Sequence, residues 1–224
     1  EEREKLPVDT GWTAFLSDLN VHDEEPLLIE NGTNGVPNLE GYDEWYRTNV
    51  YKQRQNGYAV VSITLPLGDI SADQFHSLAD IARRFVNDTI RTNVEQNILL
   101  RWVRETDLPK LYAALEGIGL NESGSGTVVD VTACPGTDTC KLGIASSRGL
   151  AGELRTRLAG KTFQLDEAVE NLRIKISGCF NACGQHHVAD LGFYGISRRA
   201  GGYNVPHFQV VLGGQWSENA GSFG

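Results

Sequence analysis

The chain has 224 residues, is 40% hydrophobic and carries a formal net charge of −9. That apolar share supports one large domain or two small ones and excludes a disordered polymer. No apolar run nears the ~20 residues that span a bilayer, no signal-peptide pattern opens the chain, and no basic run offers a nucleic-acid face. A cytoplasmic protein is expected, with neither membrane nor nucleic-acid partners.

Residues 1–50 hold twelve acidic and three basic side chains, whereas residues 51–224 hold seventeen of each. The first stretch therefore reads as an acidic N-terminal arm, either a solvated surface or a dock for a basic partner. Within it, residues 30–38 are dense in turn formers and predict a loop. Residues 43–50 predict a short ordered segment anchored by Trp45 and Tyr46. The absence of Met anywhere suggests a processed chain or a piece of something longer.

Residues 51–122 read as a β-α-β-α unit. Residues 58–67 are β-branched and apolar, ending at Gly68, and predict a strand. Ser71 with Gln74 predicts a capping box, after which Phe75, Leu78, Ala79, Ala82 and Phe85 recur at helical spacing. Residues 98–103 predict a second strand, and Thr106 a cap for a second helix bearing Leu108, Leu111, Tyr112, Leu115 and Ile118 on one face. Residues 121–126 form the clearest linker.

Beyond it, residues 127–132 predict a strand running into the first cysteine. A helix is expected after Cys140, with Leu150, Leu154 and Leu158 on one side and Gly149 as a weak point. Residues 172–176 alternate as a strand with Arg173 and Lys175 on the face opposite the apolar one. Residues 189–214 predict a hairpin that turns at 198–204.

All four cysteines lie in the second half: Cys134-x5-Cys140, a gap of 38 residues, then Cys179-x3-Cys183. Each pair follows a predicted strand, sits in a glycine-containing turn and precedes a predicted helix. Turn and helix-start N–H groups suit the negative charge of four thiolates on an iron–sulfur core, and glycine lets the backbone approach it. Structural zinc more usually shows C-x2-C pairs. Disulfides allow three pairings, but they are not expected in a chain of this size without a secretion signal. Iron–sulfur ligation by Cys134, Cys140, Cys179 and Cys183 is the favoured reading.

These residues resemble a known family. The segments 133–142 (ACPGTDTCKL) and 178–184 (GCFNACG) are similar to the siroheme/[4Fe–4S] signature of sulfite and nitrite reductases, specifically to their second, cluster-binding half. The likeness extends back through residues 90–97 and 65–69 and takes in about residues 40–224. It implies an α+β chain, with a ferredoxin-like half-domain over 51–122 and a mixed α/β siroheme/[4Fe–4S]-binding domain over 123–224 that stops early.

The resemblance further implies that Cys183 ligates the cluster and also serves as the axial ligand of the siroheme iron. The implied reaction is six-electron reduction of sulfite to sulfide or of nitrite to ammonia. By the same resemblance Gln96 lies against the siroheme, with Asn97 and Arg91 nearby; for Arg91 a solvated strand-edge cation is an equal alternative. His186 and His187 are expected to be a partly exposed pair without a ligand role. In the family the substrate-binding cations come mainly from a first half, which nothing here matches, so that half is an expected partner in the same or another polypeptide. No G-x-G-x-x-G opens a helix, so a ferredoxin donor is expected rather than a flavin or nicotinamide. The competing expectations are a haem-free [4Fe–4S] electron-transfer or structural module, and a zinc-stabilised interaction domain.

Overall fold

The computed structural model describes residues 39–87, 90–159, 166–215 and 221–224, all within one compact unit. Most of the expected acidic arm, residues 1–38 with the loop at 30–38, lies outside the described residues. The described part opens with helix α1 (Tyr42–Asn49), which buries Trp45 completely but leaves Tyr46 exposed, so Trp45 alone is the anchor.

The first sheet contains β1 (Val50–Lys52), β2 (Tyr58–Ile63), β3 (Ile90–Thr92) and β4 (Ile98–Arg104) in the order β1-β2-β4-β3, every pair antiparallel. The short edge strands β1 and β3 are additions to the β-α-β-α expectation. Three residues apiece, they carry too little alternation to register in the sequence. Helix α2 (Ala72–Val86) starts at the expected capping box: Ser71 Oγ accepts from Gln74 N at 3.2 Å, and Gln74 Oε1 accepts from Ser71 N at 3.1 Å. Its buried face runs through Leu78, Ile81, Ala82 and Val86, and Phe75 is turned to solvent. Helix α3 (Leu108–Glu116) buries Leu108, Leu111, Tyr112 and Leu115 as expected, but it starts from Asp107 with Pro109 in its first turn, and Thr106 makes no cap. These helices and strands share one apolar core, in which Trp45, Val61, Leu78, Leu100 and Leu111 are fully enclosed.

The second sheet has the order β5-β6-β7-β8, built from β5 (Thr132–Ala133), β6 (Ile174–Ser177), β7 (Leu191–Ala200) and β8 (Tyr203–Leu212). The first three are parallel, and β7 and β8 form the expected hairpin. Its turn is only Gly201-Gly202, both at positive φ (58° and 86°), which matches the right-handed twist of the flanking strands. Helix α4 (Ser147–Ala159) runs unbroken through Gly149 and packs Leu150, Leu154 and Leu158 against this sheet's core. The short helix α5 (Glu167–Glu170) follows, started by the Asp166 side chain.

Three expectations are corrected here. Residues 127–131 are irregular rather than strand; Val128, Val129 and Val131 are buried there, and only Thr132 and Ala133 pair with a neighbour. The run 121–126 is no free linker. Gly124 N donates to Thr48 Oγ1 at 2.8 Å, Ser125 N to Asn49 Oδ1 at 3.3 Å, and Ser125 Oγ to Ser62 Oγ at 2.7 Å. These polar side chains of α1 and β2 satisfy the backbone of the run, so a stretch that reads as flexible is sewn into the core. Finally, β6 is buried on both faces, as a central parallel strand must be, so Lys175 is enclosed rather than facing water. Among the described residues no helix is long and apolar enough to cross a membrane.

Candidate iron–sulfur site

Strands β5 and β6 are parallel neighbours, pairing Ala133 with Ile176. Cys134 leaves the end of β5, and Cys179 leaves the turn after β6, so both pairs of cysteines begin at the carboxyl edge of the same parallel pair. Open parallel sheets place their ligands at such an edge. Cys134 N donates to Ile176 O at 3.1 Å, which extends the ladder to the first cysteine.

Beyond the strand ends the two cysteine turns touch. A Cβ added at Gly178 would stand 2.6 Å from Gly136 Cα and 2.9 Å from Ala145 O, so only glycine admits the contact. Gly178 O accepts from Ile144 N at 2.8 Å and Ala145 N at 3.0 Å, which ties the second turn to the loop beyond Cys140. Gly178 N donates to Cys134 Sγ at 3.1 Å. Helix α4 starts beside the same sulfur: Ser147 Oγ donates to Cys134 O at 2.7 Å and lies 3.5 Å from Cys134 Sγ. A backbone N–H donor and the first residue of a helix thus both meet this sulfur.

All four cysteines are free thiols; Cys134 and Cys179 are buried, Cys140 and Cys183 exposed. The disulfide alternative has no counterpart in this arrangement. No three Cys, His, Asp or Glu side chains among the described residues cluster tightly enough to hold a single metal ion. Leu142 and Phe180, in the same two turns, are 68% and 71% exposed.

The second pair is shaped by Ser177. Its hydroxyl accepts from Gly184 N at 3.1 Å and lies 2.9 Å from His186 Nδ1. Ala182 and Gln185 take left-handed backbone conformations (φ 58° and 59°), and the chain enters a single 3-10 turn at His186 instead of the expected helix. His186 is buried and stacked on Tyr194 with ring centroids 4.8 Å apart, a correction for that member of the expected partly exposed pair. Burial, and then the neighbouring His187, hold its pKa below the usual imidazole range. Its folded pKa being depressed, its contribution to stability is complete above the ordinary range and is lost as pH falls through the folded value. The thermal midpoint should therefore fall as pH drops from about 7 to about 5, and fall less in His186→Gln. Identical slopes in a calorimetric pH series would remove His186 as the cause.

The tip of the β3–β4 hairpin reaches this sheet with three consecutive residues. Glu95 pairs with Arg173 at 3.2 Å. Gln96, at φ 68°, uses its whole amide on one backbone unit: Nε2 donates to Ala133 O at 3.0 Å and Oε1 accepts from Ala133 N at 3.2 Å. Asn97 is fully buried; Oδ1 accepts from Leu65 N at 2.9 Å and Nδ2 donates to Asp130 Oδ2 at 2.8 Å. Arg91 sits half-buried on β3, with Nη1 donating to Ile90 O at 3.2 Å. Gln96 thus braces the residue before Cys134, a role that only the fold reveals. Arg148 was likewise not singled out by sequence: it bridges Asp69 and Leu67 O to Asp138, inside the first cysteine turn. Replacing Asn97 by Leu strands the Leu65 N–H and removes a donor from buried Asp130. A loss of about 2–4 kcal/mol in denaturant unfolding is expected.

Residues 51–118 match the family model described as the nitrite/sulfite reductase ferredoxin-like half domain, and residues 124–222 the one described as the nitrite and sulphite reductase 4Fe-4S domain. A ferredoxin-type sulfite reductase of Mycolicibacterium paratuberculosis is 34% identical over 75% of this chain and 30% of its own length. The assimilatory ferredoxin-dependent nitrite reductase of Haloferax mediterranei is 26% identical over 91% of this chain and 37% of its own. The solved structure of the Mycobacterium tuberculosis NirA protein superposes with a TM-score of 0.64 at 31% identity, covering 79% of this chain and 32% of that one. Dissimilatory sulfite reductase I, at 14% identity and a TM-score of 0.52, shares the fold. The chain thus spans about a third of the length of the curated relatives it matches.

Proposed function

Because the chain belongs to the nitrite and sulfite reductase family, we propose that it forms the cluster-binding half of an enzyme that reduces sulfite or nitrite by six electrons. The observation that carries the reading is the Gly136–Gly178 contact, which sets the turn of Cys134 and Cys140 against the turn of Cys179 and Cys183. Cys134, Cys140, Cys179 and Cys183 are the thiolates proposed to hold the [4Fe–4S] cluster, and Cys183 is the one proposed to be shared with siroheme iron. The fit rests on the donor set, four free thiols, and on the Gly178 N–H already aimed at Cys134 Sγ.

When bound, the cluster and siroheme supply the electron-transfer chemistry that the side chains lack. The protein's part is to hold the thiolates, orient them and limit water. Buried Cys134 and Cys179 anchor the site, while Cys140 and Cys183 are exposed in the turns that also carry exposed Leu142 and Phe180, apolar side chains suited to a flat macrocycle. Gln96, whose amide also braces Ala133, is proposed to lie against the siroheme and its ring carboxylates, with Asn97 and Arg91 nearby. The missing half of the reductase would contribute the substrate-binding cations, and a ferredoxin the electrons. An absorption spectrum of the full-length native protein, with iron and acid-labile sulfide analysis, tests this. Macrocycle bands together with a cluster are expected; a cluster without a macrocycle would leave an electron-transfer module. Turnover of sulfite and nitrite then separates the substrates.

A further inference from the structure

Lys175 lies in the middle of β6, four residues before Cys179, and is 2% exposed. An ammonium removed from water normally keeps a carboxylate in direct contact, because an unpaired buried charge is strongly disfavoured. Here, among the described residues, its one hydrogen bond goes to a neutral acceptor: Nζ donates to Gln185 Oε1 at 3.1 Å. The nearby carboxylates are engaged elsewhere. Glu95 pairs with Arg173, and Asp130 Oδ2 accepts from Asn97 Nδ2 and from Gly126 N at 2.9 Å. Burial accordingly pushes the Lys175 ammonium below the usual lysine range, with Glu95 the strongest opposing influence. Its own strand and the loop it reaches both lead to thiolates: Cys179 follows β6, and Gln185 stands two places past Cys183.

We propose that Lys175 is the buried counter-charge of the four-thiolate centre, a positioning residue that holds the Cys183–Gln185 loop and raises the reduction potential of the cluster. The inference rests on the iron–sulfur reading above and deepens it. A centre of four thiolates is anionic, and accepting an electron adds one more negative charge. A fixed cation in a low-dielectric setting therefore stabilises the reduced form more than the oxidised one. The arrangement also explains why an under-paired lysine occupies a central strand, where a Met or Leu would pack without desolvation cost.

The test uses the full-length holoprotein in three forms, wild type, Lys175→Met and Lys175→Arg, with redox titration of the cluster followed by absorbance and electron paramagnetic resonance. Loss of the charge should move the midpoint to more negative potential by at least a tenfold change in the redox equilibrium, about 59 mV for one electron. Lys175→Arg should stay near wild type, which a purely volumetric role would not produce. A cluster lost from Lys175→Met but kept in Lys175→Arg supports the proposal, since the charge is then needed to hold the anionic centre. If neither variant loads, Gln185→Glu decides, because a carboxylate placed on the ammonium should lower the potential and an unmoved midpoint overturns the idea. A loaded Lys175→Met protein with the wild-type midpoint also overturns it. A wild type that purifies without iron and sulfide would instead refute the underlying iron–sulfur reading.

Discussion

Gly178→Ala should abolish iron binding and destabilise the fold by about 3 kcal/mol, within the range for forcing atoms into a packed interior. The new Cβ would meet Gly136 Cα at 2.6 Å and Ala145 O at 2.9 Å, and neither is the movable end of a side chain. The strain is relieved only by parting the two cysteine turns, which also breaks the bonds from Ile144 N and Ala145 N to Gly178 O. Gly117→Ala is the matched control: it lies at the end of α3 with ordinary φ, and its Cβ would have neighbours no nearer than 3.5 Å. Iron and sulfide content, read beside a thermal melt, separates the two effects. Gly178→Ala protein that retains a full iron complement would show that the contact between the turns is not what assembles the site.

Cys183→Ser should remove both chromophores, with turnover of either anion falling to background, whereas Cys134→Ser should act first on the cluster. The difference follows from the shared-thiolate role proposed for Cys183. Cys134 is buried against Ser147 and the Gly178 N–H, whereas Cys183 is exposed. Because Cys183 is exposed, its replacement should cost little fold stability, so an unchanged melt with lost spectra is the expected signature. Spectra with normal siroheme bands and activity in Cys183→Ser would refute the shared-thiolate role.

The two halves of the chain meet through particular polar side chains, beside Leu67 of the first half, which packs against the apolar cluster of the second. Each half has its own cluster of buried hydrophobic residues. Between them stand Gln96 on Ala133, Asn97 on Asp130, Glu95 on Arg173 and the Thr48–Asn49 pair that receives residues 124 and 125. Such contacts are directional and intolerant of an unpaired partner, so they set the position of β5, and with it Cys134, more sharply than apolar packing would. The hairpin tip from Asn93 to Asn97 therefore reads as a brace for the cysteine turn, which is why its amides are spent on the protein itself.

Local patterns carried much of the architecture. The Ser71–Gln74 box, the apolar stripe of α3 and the Gly201-Gly202 turn are short-range devices whose physics is complete within a few residues. The spacing of the four cysteines pointed to cluster chemistry for the same reason. Other features depend on residues far away in the chain. Residues 127–131 have strand-like composition, but parallel pairing with β6 starts only at Thr132. Residues 121–126 look like a free linker until Thr48, Asn49 and Ser62 supply their hydrogen bonds. Lys175 and His186 look solvent-facing until strands on either side, or Tyr194 and Ser177, enclose them. Periodicity reveals which face of an element is apolar; burial, pairing and the engagement of Gln96 and Asn97 are decided by partners dozens of residues distant, and only the assembled fold brings those partners together.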